Sequence, residues 1–88
     1  MPKISEQEYL NIKAIIVRKL YAKRAFSKGH ILLERLQHGI PPHYRGFVKE
    51  IIGVLIKEKI IVYYGRTKHG DAYQLNIEKL KDIKEILN

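Results

Sequence analysis

The 88-residue chain contains no cysteine and no tryptophan. Without cysteine it has no disulfide, no thiolate zinc site and no cysteine nucleophile, so an apolar core must hold the fold. No apolar run approaches the roughly 20 residues of a membrane-spanning helix, and the segment from Met1 to Glu8 lacks the apolar stretch of a signal peptide. We therefore expect a cytoplasmic protein that does not bind membranes.

Residue types that carry enzyme chemistry are also sparse. The only serines are Ser5 and Ser27, and both stand where helix caps are expected. None of the four histidines has the spacing of a metal ligand, no glycine-rich phosphate loop follows a strand, and no paired-carboxylate pattern is present. We expect no enzymatic activity, no cofactor and no metal.

Positive charge is what the sequence has in excess. Lysine and arginine number 17 against 9 aspartate and glutamate, for a formal net charge of +8. This balance is typical of a protein that binds a polyanion, although a solvated surface or a thermophilic source also raises lysine content. A chain of this length buries only roughly 60% of its unfolded surface, which favours a single binding domain over residues 1–88 without an internal active site.

The first helix has a clear start signal. Ser5 and Glu8 form an S-x-x-E capping box, which predicts a helix over residues 6–22. Its apolar stripe recurs at steps of three and four residues and comprises Tyr9, Ile12, Ile16 and Leu20.

The segment after the first helix is predicted as a short strand followed by a second helix. Ala25-Phe26 is the candidate strand, and Ser27 is expected to cap a helix over residues 28–38. Gly39 stands where a left-handed residue usually ends a helix. Ile40-Pro41-Pro42 then predicts a rigid turn.

The third helix, predicted over residues 42–58, separates into two faces at about 100° per residue. The apolar face comprises Tyr44, Phe47, Val48, Ile51, Ile52 and Leu55. The opposite face comprises Arg45, Gly46, Lys49, Gly53 and Lys57, with His43 at its margin. A glycine inside a helix costs about 1 kcal/mol relative to alanine, so the presence of both Gly46 and Gly53 on this face requires an explanation. Close approach to a duplex and close packing against a neighbouring element remain equal alternatives.

A β-hairpin is predicted over residues 60–75, because β-branched and aromatic runs flank a turn-rich segment. Its tip carries Arg66, Lys68 and His69, and a tip of this kind faces either solvent or a charged partner.

A last helix is predicted over residues 77–87, with Asn76 as its cap. Its apolar seam comprises Ile77, Leu80, Ile83 and Leu87. The seam either packs on the domain or pairs with a second copy. We expect a homodimer, because the seam offers a surface through which two copies can pair.

The order of these elements resembles the winged helix-turn-helix family of DNA-binding regulators, especially small archaeal and bacterial ones. The resemblance is carried by the helix pair 27–39 and 43–58, the helix exit 55–61 and the hairpin tip 65–70. The chain has Lys59 where the family usually has glycine. Its turn from Ile40 to His43 is also longer than the family's usual three or four residues.

The resemblance implies an α+β, mainly α fold with a three-helix core, a β-hairpin wing and a C-terminal helix. It also implies that the third helix enters the DNA major groove while the wing touches the minor groove or the backbone. Arg45 suits a guanine edge, and Lys49 suits a base or phosphate one turn further on. The residues expected to contact nucleic acid are Lys28, His43, Tyr44, Arg45, Gly46, Lys49, Gly53, Arg66, Lys68 and His69.

Two other functions remain open from the sequence. One is an RNA-binding or ribosome-associated winged helix, and the other is a protein-interaction winged helix in a transcription assembly. Tyr63, Tyr64 and Tyr73 are expected to alternate into the core, which would leave no exposed aromatic cluster for single-strand stacking. Double-stranded DNA is therefore the favoured partner, with RNA as the alternative.

Overall fold

Four α-helices and three strands make up the chain in the computed structural model, which describes residues 4–88. Residues 1–3 of the predicted domain lie outside the described residues. The elements follow in the order α1 (Glu6–Ala22), β1 (Ile31–Leu32), α2 (Leu33–Gln37), a 3₁₀ turn (Pro42–Tyr44), α3 (Arg45–Lys57), β2 (Ile61–Thr67), β3 (Gly70–Leu75), a second 3₁₀ turn (Ile77–Lys79) and α4 (Leu80–Leu87). The fold is therefore α+β and mainly helical, as expected. None of the helices within residues 4–88 has the length and apolar character needed to cross a membrane.

Helix α1 begins with the capping box that the sequence indicates. The Ser5 hydroxyl accepts the Glu8 N–H at 3.1 Å, and the Glu8 carboxylate accepts the Ser5 N–H at 3.0 Å. The backbone hydrogen bond from Ser5, followed by that from its hydroxyl, lowers the pKa of Glu8 because both stabilise the charged carboxylate. The helix then runs to Ala22, so its predicted bounds are confirmed.

The sheet has the strand order β1-β3-β2, and both pairs are antiparallel. Ile31 lies opposite Tyr73 on one side of β3, and Tyr63 lies opposite Tyr73 on the other. The register shifts between Tyr63 and Gly65, so Tyr64 is an extra residue in a β-bulge. The predicted hairpin therefore forms, but its alternation of faces is interrupted.

The prediction of a helix over residues 28–38 is wrong. The helix is confined to α2, and the two residues before it form β1. Pairing of Ile31 and Leu32 with β3 provides backbone hydrogen bonds across about forty residues of sequence, and this tertiary pairing overrides the local helical pattern.

The prediction of a strand at Ala25-Phe26 is also wrong, since only Phe26 forms a single bridge, with Leu75. Ser27 does not cap α2, because Leu32 occupies the N-cap and Ser27 lies in a turn with φ +44°. Gly39, by contrast, has φ +86° just after α2, as its position predicts.

The core lies where α1, α3, α4 and the inner face of the sheet meet. The third helix, predicted to begin at residue 42, begins at Arg45 after the 3₁₀ turn. Of the six residues predicted for its apolar face, four are buried, and Tyr44 in the turn and Phe47 on α3 are half-buried. The largest fully buried side chains are Ile16, Val17, Leu20, Leu36, Ile40, Val48, Ile51, Ile52, Leu55, Ile61, Leu75 and Ile83. Helix α3 is therefore anchored by one apolar face, which leaves its other face outward.

The C-terminal seam packs mainly on its own domain. Ile83 is fully buried, Leu80 and Leu87 are half-buried, and Ile77 is 51% exposed. The side-chain oxygen of Asn76 accepts the Glu78 N–H at 3.1 Å and caps the 3₁₀ turn that leads into α4. The α-helix predicted to begin at residue 77 begins at Leu80, with Lys79 as its N-cap. Little of the seam is left to pair with a second copy.

Helix α3 ends in a Schellman motif with lysine at the left-handed position. Lys59 has φ +64°, its N–H donates to the Ile56 carbonyl at 3.0 Å, and the Ile60 N–H donates to the Leu55 carbonyl at 2.9 Å. A left-handed conformation costs a non-glycine residue roughly 1–2 kcal/mol. The local geometry thus favours glycine at position 59.

We expect Lys59→Gly to raise the free energy of unfolding by about 1 kcal/mol, because relief of the backbone strain exceeds the entropy that glycine loses on folding. Urea unfolding measures this change. Lys49→Gly is the matched control, and it should lower the free energy of unfolding by about 1 kcal/mol because Lys49 lies inside the helix. Equal destabilisation by both changes would contradict a strained Lys59.

Candidate nucleic-acid interface

The outward face of α3 combines cations with small residues. It is held in place by the buried Val48, Ile51, Ile52 and Leu55 on the other side of the helix. All of its members are exposed, namely Arg45, Gly46, Lys49, Gly53 and Lys57. The structure thus presents the predicted cationic stripe on the surface. We refer to these five residues as the α3 stripe.

Arg45 is oriented by the proline turn before α3. Its Nε donates to the Ile40 carbonyl oxygen at 3.2 Å. The guanidinium has five N–H donors in a rigid fork, so four of them are left over from this bond. The turn therefore fixes one edge of the guanidinium while its other donors stay available to a partner.

The two residues before Arg45 have different surroundings. The Tyr44 hydroxyl donates to the Glu8 carboxylate, and the half-buried Tyr44 ring packs beside the ring of His43 with centroids 4.0 Å apart. His43 itself is exposed. Tyr44 therefore joins the start of α3 to the start of α1, and its O–H donor is already engaged within the chain.

Gly46 and Gly53 are not required by packing within residues 4–88. A Cβ atom built at either position would meet no heavy atom within 4 Å. Gly29 shows the contrast, because a Cβ there would lie 2.9 Å from the Arg24 carbonyl oxygen. Of the two alternatives for the α3 glycines, close packing against a neighbouring element of the chain is excluded.

The hairpin tip is ordered by one side chain. The Thr67 hydroxyl donates to the Gly70 carbonyl at 2.9 Å and accepts the His69 N–H at 3.1 Å. Arg66, Lys68 and His69 are all exposed around this bond, and so is Lys28 in the loop before β1. The tip therefore presents its cationic groups from a defined turn.

A groove that the sequence did not indicate lies between the end of α1, β1, α2 and the hairpin tip. Its volume is about 1060 Å³. The charged and titratable side chains that line it are Lys19, Lys23, His30, Glu34, Arg35, His38 and His69. We call this the cationic groove. No local pattern could have revealed it, because its lining residues are spread over fifty positions of the sequence and meet only through the tertiary fold.

Lys19 holds one wall of the cationic groove together. Its Nζ donates to the carbonyls of Arg35 at 3.3 Å and Leu36 at 3.4 Å, and also to that of His38. Carbonyls at the end of a helix have no hydrogen-bond partner within it, so Lys19 of α1 caps the C-terminus of α2. Partial burial lowers the pKa of Lys19, because removal from water disfavours its charged form.

The expectation that all three hairpin tyrosines point into the core is wrong. Tyr73 is buried, but Tyr63 and Tyr64 are each 47% exposed. The bulge at Tyr64 breaks the alternation that the expectation assumed. The Tyr64 ring stacks on His30 at 4.2 Å, and the Tyr63 hydroxyl donates to Asp71 at 2.8 Å, which raises the pKa of Tyr63.

The cations of the α3 stripe, the hairpin tip and the cationic groove have no carboxylate partner. Across residues 4–88 the one ion pair within 4.0 Å joins Lys13 to Glu58, at 3.1 Å. The same part of the chain contains no group of three or more His, Asp or Glu side chains that could hold a metal ion. These surfaces are thus suited to bind an anion rather than a cation.

Similarity to known proteins does not assign a function to this interface. Comparison of the chain with protein-family models, with curated proteins and with solved structures gives no match. The functional interpretation therefore depends on the geometry and charge of the described residues.

Proposed function

We propose that this protein is a winged helix-turn-helix domain that binds double-stranded DNA, with α3 in the major groove and the hairpin on the minor groove or the backbone. The observation that carries the proposal is the α3 stripe, in which unpaired cations alternate with two glycines that packing does not require. A small transcriptional regulator is the role that fits such a domain.

The chemistry of the α3 stripe suits a base edge. The donors of Arg45 that its bond to Ile40 leaves over can pair with the two acceptors of a guanine, and Lys49 lies one turn further along the same face. Glycine at positions 46 and 53 removes the side chains that would otherwise hold the helix axis away from the bases. The hairpin tip supplies cations for phosphates or for a narrow minor groove.

The order of elements supports the winged helix interpretation. The chain passes through helix, strand, two helices and a hairpin, with β1 added to the hairpin's β3. Lys59 adopts a left-handed conformation at the position where the family usually has glycine. The chain thus differs from the family in residue type at position 59 but has the left-handed backbone that glycine at this position implies.

A salt titration of binding to duplex DNA, single strands and structured RNA in parallel tests the proposal. We expect the tightest binding to duplex DNA, with log K falling linearly against log salt because phosphate contacts release counterions. Binding to no nucleic acid would contradict the proposal and would favour the protein-interaction alternative.

A second candidate function is RNA or other single-strand binding, and the exposed tyrosines favour it. Tyr63 and Tyr64 offer aromatic surface of the kind on which unpaired bases stack. In the same titration, this candidate predicts a preference for single strands or structured RNA that is lost in Tyr64→Leu. Duplex preference that is unaffected by Tyr64→Leu would rule it out.

The homodimer stays a prediction. Ile83 is fully buried within the chain, so it offers no contact to a second copy. Ile77, in the 3₁₀ turn before α4, and Leu10 on α1 are exposed and are the apolar side chains that support a dimer contact. Sedimentation equilibrium should show a dimer that dissociates in the double variant Leu10→Ser, Ile77→Ser. A monomer at the working concentration would contradict the prediction.

A further inference from the structure

The cationic groove plays no part in the α3 contact proposed above. It lies between the end of α1, α2 and the hairpin tip, and His69 belongs both to its lining and to the tip. Leu32 pairs with Ala72, so β1 delivers α2 to the same end of the sheet as the tip at Gly70. The groove is therefore continuous with the hairpin tip through His69.

The groove has two permanent charges that are free for a ligand. Lys19 is engaged with the carbonyls of α2, whereas Lys23 and Arg35 are exposed and have no ion-pair partner within residues 4–88. Glu34 is the one carboxylate in the lining. The permanent charge of the groove is thus positive, and a phosphate is the matching group.

Three histidines in the lining make this charge dependent on pH. His30 leads into β1 and stacks on Tyr64, His38 follows α2, and His69 is at the hairpin tip. All three are exposed. Protonation of each imidazole adds a positive charge and a second N–H donor to the groove.

We propose that the cationic groove binds backbone phosphates of duplex DNA beside the α3 and hairpin contacts, and that this binding tightens as His30, His38 and His69 become protonated. The proposal rests on the proposed function, because the phosphates belong to the same duplex. It assigns to the end of α1 and to α2 a second contact with the DNA backbone.

The direction of the pH effect follows from linkage. A bound phosphate favours the protonated form of an imidazole beside it, so the duplex binds more tightly at acidic pH than at neutral pH. The other charged and titratable groups that line or face the groove are Lys19, Lys23, Glu34, Arg35 and Tyr64.

The first experiment measures duplex affinity at pH 7.5 and at pH 5.5, at one salt concentration, for the unaltered protein and for the triple variant His30→Gln, His38→Gln, His69→Gln. We expect about tenfold tighter binding at the lower pH for the unaltered protein and a much smaller change for the triple variant. His43→Gln is measured in parallel, because His43 lies at the start of α3 outside the groove, and it should remove less of the pH effect than the triple variant does. Thermal melts at both pH values check that each variant is folded.

The second experiment measures the salt dependence of duplex binding at pH 7.5. Lys23→Gln with Arg35→Gln should reduce the slope of log K against log salt by about two, because roughly 0.9 of a counterion is released per phosphate contact. Lys81→Gln with Lys84→Gln is the control, since it removes the same charge from exposed positions on α4 that do not line the groove. It should leave the slope nearly unchanged.

The outcomes separate the two proposals. If the unaltered protein binds duplex DNA but the triple variant shows the same pH dependence, or both lysine-containing pairs change the slope equally, the groove contact is overturned and the proposed function stands. If the unaltered protein does not bind duplex DNA at all, both proposals are overturned.

Discussion

Arg45→Ala is expected to weaken binding to a preferred duplex by about 1–3 kcal/mol, with a much smaller loss on random duplexes. The reason is the geometry of its guanidinium, whose Nε donates to the Ile40 carbonyl at 3.2 Å while its other donors are not used by this bond. A bidentate pair with a guanine edge discriminates between bases, so its loss relaxes sequence preference. Competition binding with preferred and random duplexes measures the difference.

Lys68→Ala provides the contrast on the hairpin tip. Lys68 is exposed and carries a point charge rather than a planar fork, which suits a phosphate. We expect this change to weaken all duplexes alike and to reduce the salt slope by about one unit. Equal effects of the Arg45 and Lys68 changes on preferred and random duplexes would contradict the division of roles.

Arg45→Lys separates charge from geometry at the same position. It retains the positive charge but loses the planar pair of donors. Binding to random duplexes should therefore stay close to that of the unaltered protein, while the preference for one sequence falls as it does in Arg45→Ala. Full preference in Arg45→Lys would mean that Arg45 contacts a phosphate.

Features that depend on a few neighbouring residues could be predicted from the sequence. The capping box at Ser5 and Glu8 set the start of α1, and the left-handed Gly39 followed α2 as expected. The outward face of α3 could also be read from periodicity, because a helix with one wide apolar side must bury that side. In each case the physical cause lies within one or two helical turns.

Features that depend on distant pairing could not be predicted. Ile31 and Leu32 have side chains that suit a helix or a strand, and pairing with β3 decided between them. The same limit applies to the bulge at Tyr64, because a register shift is set by the partner strand and by packing across it. The cationic groove is the extreme case, since it exists only where three separate segments meet.

Gly46→Ala and Gly53→Ala are each expected to raise the stability of the protein and to weaken its binding to duplex DNA. Alanine at Gly53 should raise the free energy of unfolding by about 1 kcal/mol, because the position is inside α3 and its Cβ meets no atom within 4 Å. The gain at Gly46 should be smaller, since it is the second residue of the helix. Urea unfolding of the single and double variants measures both.

The double variant should bind duplex DNA about tenfold more weakly, because its two added methyl groups would occupy the surface that the bases approach. A tenfold loss of affinity corresponds to about 1.4 kcal/mol of binding free energy. A protein that becomes more stable while it binds less tightly cannot have lost its partner through unfolding. A higher free energy of unfolding together with a lower affinity for duplex DNA would therefore indicate that the two glycines lie at the DNA interface.

Gly29→Ala is the matched control for a glycine that the fold itself requires. Its Cβ would lie 2.9 Å from the Arg24 carbonyl oxygen and 3.1 Å from the Ala25 Cα, so alanine should destabilise the protein there. If the double variant at positions 46 and 53 were more stable and bound duplex DNA as tightly as the unaltered protein, the α3 stripe would not lie against the bases. The major-groove assignment of α3 would then be wrong, because that helix face could not approach a duplex without contact at both glycines.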